Sequence, residues 1–129
     1  MSNERKTKTN GKRILIVEDE PDVAETMKML LEREGYSAEY TLDPHKALGM
    51  MPKFDIVLLD IMMPVMSGRE VLARMKESGI TTPVIVVSAV GMPIEVEREL
   101  TAKYPGIGFL AKTLMHTDLA KEVKKKLKG

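Results

Sequence analysis

The feature that most constrains this chain is an alternation, repeated five times, between short β-rich apolar runs and longer stretches with helical spacing. The runs are Ile14–Val17, Ser37–Thr41, Ile56–Leu59, Val84–Val87 and Ile107–Ala111. After the first, Val23, Met27, Leu30 and Leu31 recur at helical intervals up to a stop at Gly35. Asp43-Pro44 opens a short second helix, since proline is favoured at the first helical position. Ser67 caps a third, which carries Val71, Leu72 and Met75 and ends at Gly79. Pro93 starts a fourth that Pro105-Gly106 stops, and Thr117 or Asp118 begins the last, with Leu119, Val123 and Leu127 four apart. Strands alternating with helices predict an α/β fold of (βα)5 type. Its doubly wound, five-stranded parallel sheet carries helices on both faces, because right-handed crossovers place them there. The third and fourth runs are continuously apolar, as strands buried on both faces should be.

The length of 129 residues suits one domain with one core, and 43% hydrophobic with 30% charged residues is the balance of an ordinary soluble protein. The absence of Cys excludes disulfides and thiolate metal sites, and the eleven Met residues read as flexible core filler. No apolar stretch approaches the ~20 residues needed to span a bilayer. The N-terminal MSNERKTKTNGKR lacks the apolar segment of a secretory signal. These features predict a cytoplasmic protein, with residues 1–11 a flexible polar tail and 12–129 the folded domain. Net charge is +1, yet five Lys/Arg against Glu4 in residues 1–13 and five Lys against Glu122 in residues 121–129 make both ends basic and the body acidic. No aromatic residues interleave with these lysines to stack bases. They read as solvated charge and as cations favoured at a helix C-terminus, so no direct binding to nucleic acid or membrane is expected.

In an open parallel sheet, ligands bind beyond the carboxyl ends of the strands, where the strand order reverses. Glu18, Asp19 and Glu20 follow the first run, Asp60 the third, Ser88 the fourth and Lys112 the fifth. Singly, each has an ordinary explanation: a helix N-terminus for the acidic cluster, a loop carboxylate, a turn serine, a surface cation. Together they converge on one edge from four strand ends. Two unit charges about 5 Å apart repel by roughly 3 kcal/mol at an effective dielectric of 20. Glu18, Asp19 and Asp60 in one pocket therefore call for a cation. Lys112 offsets part of the cost, and a hard divalent ion offsets more. Oxygen-only ligands suit Mg²⁺, or Mn²⁺ in its place, better than zinc. With that charge balanced, Asp60 is a candidate nucleophile towards phosphorus. Lys112 and the ion would stabilise the transferring oxygens, and Ser88 would donate a hydrogen bond to one of them.

The stretches ILIVEDE (14–20), DIVLLDIMMPVMSG (55–68), VIVVSA (84–89) and FLAK (109–112) closely resemble the receiver domain of two-component response regulators, over roughly residues 12–128. The resemblance implies a flavodoxin-like fold with strand order 2-1-3-4-5. It implies Asp60 as phosphoacceptor, Asp19 as direct Mg²⁺ ligand, Glu18 as an acidic partner acting through water, and the Met62 main-chain carbonyl as a further ligand. Ser88 and Lys112 would contact the phosphoryl group, and Phe109 would be the switch aromatic beneath a partner-reading face of fourth helix, fifth strand and last helix. The implied donor is a phosphohistidine on a sensor histidine kinase or phosphotransfer protein, with an unidentified protein downstream. The chain catalyses only its own phosphoryl transfer and slow autodephosphorylation on this reading. The resemblance also implies that the positions bordering the path of a hydrolytic water, two residues after the phosphoacceptor and two after the conserved hydroxyl, are Met62 and Val90. Neither side chain can orient water by hydrogen bonding, which predicts a long-lived acyl phosphate.

Two departures stand out. Ser67 replaces the family's common Asp, and Thr113 the usual Pro after the conserved lysine. A cis bond before Thr113 would cost about 2.5–4 kcal/mol, so a trans peptide is expected there. Other classes fit less well. A haloacid-dehalogenase-type phosphatase needs a second carboxylate where Met62 stands, and Gly106-Ile107-Gly108 is too short for a nucleotide-binding loop. A degenerate receiver acting as a protein-binding module is the serious alternative; it would typically have lost Asp60, an acidic partner or Lys112, and none is lost here. The chain is expected to be either a single-domain receiver or the excised receiver of a longer DNA-binding regulator.

Overall fold

The computed structural model describes residues 11–89 and 92–128. Residues 1–10 of the proposed 1–11 tail and the position of Val90 lie outside the described residues. The strands are β1 (Arg13–Val17), β2 (Ser37–Thr41), β3 (Ile56–Asp60), β4 (Val84–Ser88) and β5 (Gly108–Ala111). The helices are α1 (Pro21–Arg33), α2 (Pro44–Met50), α3 (Gly68–Glu77), α4 (Ile94–Lys103) and α5 (Met115–Lys128), with short 3-10 turns at Met51–Lys53 and Lys112–Leu114. All strand pairs are parallel, in the order β2-β1-β3-β4-β5. The chain therefore starts near the middle of the sheet, winds to one edge, returns through β3 and ends at the other, as the resemblance implied.

Each strand sends alternate residues to opposite faces, which builds two cores. Leu15, Val17, Val57, Leu59, Val84 and Val86 pack with Ala47, Val71, Leu72, Met75 and Leu100, so α2, α3 and α4 cover one face. Ile14, Ile16, Ile56, Leu58, Ile85, Val87 and Leu110 pack with Ala24, Met27, Leu31, Leu119 and Val123, so α1 and α5 cover the other. Every residue of β3 and β4 is buried, which is why those runs are apolar without alternation.

Local signals account for most helix ends. Pro21 opens α1, and Gly35 ends it at φ 91, where Gly35 N and Tyr36 N donate to the carbonyls of Glu32 and Leu31. The Asp43 carboxylate caps α2 by accepting from His45 N at 2.9 Å. Ser67 caps α3 in a reciprocal box: Glu70 N donates to its hydroxyl, and the Glu70 carboxylate accepts from Ser67 N. Differences from expectation are small but informative. β3 and β4 each run one residue further, so Asp60 and Ser88 are the last residues of their strands rather than the first beyond them. β5 starts one residue later, at Gly108. The last helix does not begin at Thr117 or Asp118 but at Met115. The preceding 3-10 turn feeds straight into it, and the Thr117 hydroxyl donates back to Leu114 O instead of capping. No peptide among the described residues is cis, so the bond from Lys112 to Thr113 is trans.

Candidate functional site

The carboxyl ends of β1 and β3 are adjacent because the two strands pair directly, Val17 opposite Leu59. One residue beyond each match stand Glu18 and Asp60. Glu18 N extends the ladder by donating to Thr41 O of β2, which drives its side chain into the protein: Glu18 is 0% exposed and Asp60 2%. Asp19 is half-buried beside them. Carboxylate oxygens of Glu18, Asp19 and Asp60 lie within 4.8 Å of one another.

Lys112 reaches this cluster from the end of β5. Its Nζ donates to Asp60 Oδ2 at 3.3 Å and lies 2.8 Å from Glu18 Oε1, off the line of a directed hydrogen bond. Asp60 Oδ1 accepts from Met62 N at 3.1 Å, and Glu18 Oε2 accepts from Glu20 N at 3.2 Å. Glu18 Oε1 is thus a buried oxygen with no hydrogen-bond partner among the described residues. Burial is the main influence on Glu18 and pushes its pKa up to about 7; Lys112 pulls it down and the Asp60 charge raises it. Burial also opposes the charged form of Lys112, yet Glu18 and Asp60 outweigh it and hold the ammonium above the ordinary lysine value. One ammonium leaves three carboxylates with surplus negative charge. Hard oxygen donors and that surplus fit a hard divalent cation.

Ser88, also buried, ends β4 opposite Ala111, the residue before Lys112. Phe109 pairs with Val86 and is half-buried, and with Ser88 and Met92 it lines a cavity of about 100 Å³. The structure therefore brings Glu18, Asp19, Asp60 and Lys112 into contact range, sets Ser88 at the neighbouring strand end, and leaves Phe109 further down β5. The Met62 side chain does not pack: it is 72% exposed, while its main-chain N–H serves Asp60.

Gly68 was not singled out from the sequence. A Cβ at this position would stand 2.7 Å from Ile61 Cα and 2.8 Å from Asp60 O, both backbone atoms. Gly68 N donates to Ile61 O at 3.0 Å, so the start of α3 lies directly on the backbone that carries Asp60. A small residue directly after an N-cap is only a weak signal of this, because the contact belongs to the loop's path.

A family model described as the response regulator receiver domain matches residues 14–124. The transcriptional regulatory protein DltR of Streptococcus agalactiae is 43% identical over 79 residues, which cover 60% of this chain and 35% of its own. The regulator ResD of Bacillus subtilis is 36% identical over 85 residues, 64% of this chain and 35% of its own. The chain spans about a third of the length of these curated relatives. Among solved structures, the signal receiver domain of a putative LuxO repressor protein from Vibrio parahaemolyticus superposes with a TM-score of 0.81 at 28% identity, covering 91% of this chain and 90% of that one. The response regulator TrrA of Thermotoga maritima, solved with Mg²⁺ and BeF, gives a TM-score of 0.74 at 30% identity over 89% of this chain and 98% of that one. The family match spans the sheet from Ile14 onward, and the strand order and the acidic strand-end cluster agree with it: the chain belongs to the receiver domains of response regulators.

Proposed function

We propose that Asp60 is the phosphoacceptor and that the acidic cluster works with Mg²⁺, or Mn²⁺ in its place. The observation that carries this is the packing of Glu18, Asp19 and Asp60 within 4.8 Å, with the Lys112 ammonium 3.3 Å from Asp60. Asp19, Asp60 and the Met62 main-chain carbonyl would hold the ion, and Glu18 would act through water. When bound, the ion supplies charge neutralisation for the phosphoryl oxygens. An Asp60 carboxylate oxygen forms the new bond to phosphorus, while the bond from phosphorus to the donor imidazole nitrogen breaks and that nitrogen takes up a proton. Lys112 stabilises the negative charge of the transferring group, and the Ser88 hydroxyl donates to one of its oxygens. The same residues support slow autodephosphorylation once water reaches the phosphorus in line.

The donor on this reading is a phosphohistidine of a sensor kinase or phosphotransfer protein, which places the exchange in the cytoplasm, where ATP charges such kinases. Output is read by a protein partner on the face of α4, β5 and α5, with no direct contact to nucleic acid or membrane by this domain. The small cavity shared by Ser88 and Phe109 supports that choice, since it offers space into which the Phe109 ring can turn when Ser88 is drawn towards the phosphoryl group. Domain limits of 12–129 fit the family match and the two continuous cores.

The test is intact mass after incubation with acetyl phosphate and Mg²⁺. One phosphoryl adduct is expected in the parent chain, and none in Asp60→Asn or in excess chelator. An adduct that persists in Asp60→Asn would refute the assignment.

A further inference from the structure

The parallel sheet has a second end, opposite the acidic cluster, where the chain enters β4 and β5. There α3, α4 and the loops before these strands border a half-open cleft of about 500 Å³, within the size range of small-molecule sites. Its wall is apolar, from Leu72, Met75, Ile80 and Ile107, with the Tyr104 ring at one side. Among the described residues no Asp or Glu lines it, whereas Lys76, Lys103 and Lys126 do.

Two of these lysines have partners within the protein. Lys76 Nζ donates to Lys103 O at 3.3 Å and stands 5.7 Å from the centre of the Tyr104 ring. Lys103 Nζ pairs with Glu99 at 3.3 Å. Lys126 is different. Its Nζ reaches over the loop before β5, 3.7 Å from where a Cβ on Gly106 would stand, and it has no hydrogen-bond or ion-pair partner among the described residues. It is half-buried, and that burial alone pushes its pKa down. A partly desolvated ammonium with no counter-charge among the described residues, at the mouth of an apolar cleft, is complementary to a ligand with an apolar body and an acidic head.

We propose that this cavity binds a small amphiphilic anion, an aromatic or aliphatic body bearing one carboxylate, sulfonate or phosphate, with Lys126 as its principal anion contact. The site is separate from the phosphoacceptor and does not depend on its assignment. Its volume lies in the range of small-molecule sites, and the charge complementarity calls for a single acidic head. The opposing view is that Lys126 merely lays its aliphatic stem across apolar surface.

The probe is 8-anilinonaphthalene-1-sulfonate, titrated into the intact folded chain by fluorescence and by amide NMR, beside its uncharged analogue N-phenyl-1-naphthylamine. Saturable one-to-one binding is expected, with shifts centred on Ile80, Thr81 and the segment from Tyr104 to Ile107. Lys126→Glu should weaken the sulfonate roughly fivefold to tenfold while leaving the uncharged analogue unchanged, the effect of one charge-assisted contact. Thr81→Trp, at an exposed cavity-lining position, should exclude both probes without changing the fold. Absence of saturable binding, shifts centred elsewhere, or an affinity indifferent to Lys126→Glu would each overturn the proposal. So would sedimentation showing that a second copy of the chain occupies this face and excludes the dye.

Discussion

The Lys112 ammonium rests 2.8 Å from Glu18 Oε1, closer to this fully buried carboxylate than to Asp60 Oδ2 at 3.3 Å. The lysine that would meet an incoming phosphoryl group is thus drawn first to the acidic partner of the acceptor. Charge brought to Glu18 from another source, such as a divalent cation near the pair, would leave Lys112 free to favour Asp60.

Divalent cation binding should therefore stabilise the fold at neutral pH. An ion that binds only the native state at a hundredfold excess over Kd contributes about 2.7 kcal/mol. Thermal melts with and without Mg²⁺ should separate in the parent chain and nearly coincide in Asp19→Asn. Superimposed melts of the parent at concentrations shown to bind would contradict this.

In chelator, the buried Glu18 should set a pH dependence of its own. Its folded pKa of about 7 lies above the ordinary value of 4.5, so between these limits the folded state holds the extra proton. Stability from this group is greatest below about pH 4.5 and declines as pH rises to about 7, by at most about 1.4 kcal/mol per pH unit. Denaturant unfolding of the parent and of Glu18→Gln from pH 5 to 8 measures it. The parent should lose ground relative to the variant as pH rises, and parallel curves would show that Glu18 is not held protonated.

Gly68→Ala should cost about 1–3 kcal/mol, the range for overpacking a tight contact. It should also slow labelling of Asp60, because the clash falls on Ile61 Cα and Asp60 O. Ser67→Ala, which removes only the cap, should cost about 1 kcal/mol with labelling little changed. Urea midpoints and initial labelling rates distinguish the two. Equal labelling rates would mean that the Asp60 backbone tolerates the push.

The acyl phosphate should be long-lived, and Met62→Asn with Val90→Glu should shorten its life by supplying groups able to orient water. The exposed Met62 side chain can be changed at little cost in packing. Loss of the adduct, followed by intact mass in chelator after labelling, is the measurement. Equal decay in parent and double variant would show that these positions do not set the lifetime.

The sequence by itself determined the order of elements and the residues standing at each strand end. Apolar runs, helical spacing and punctuation at Gly35, Asp43, Ser67 and Gly79 are local signals, and they carried the α/β fold, Asp60 and its acidic partners. Strand ends moved by a residue where hydrogen bonding to a neighbour outran the apolar run, as at Asp60 and Ser88. The start of α5 moved because a 3-10 turn continued into it. Strand order came from resemblance to the family and not from periodicity, which is the same for any winding. Only the tertiary structure decided that Lys112 lies nearer Glu18 than Asp60, that Gly68 abuts the backbone of Asp60, and that Lys126 overhangs a cavity at the far end of the sheet. These are relations between residues distant in the chain, and their energies depend on how completely neighbouring strands and helices remove each group from water, which no local pattern records.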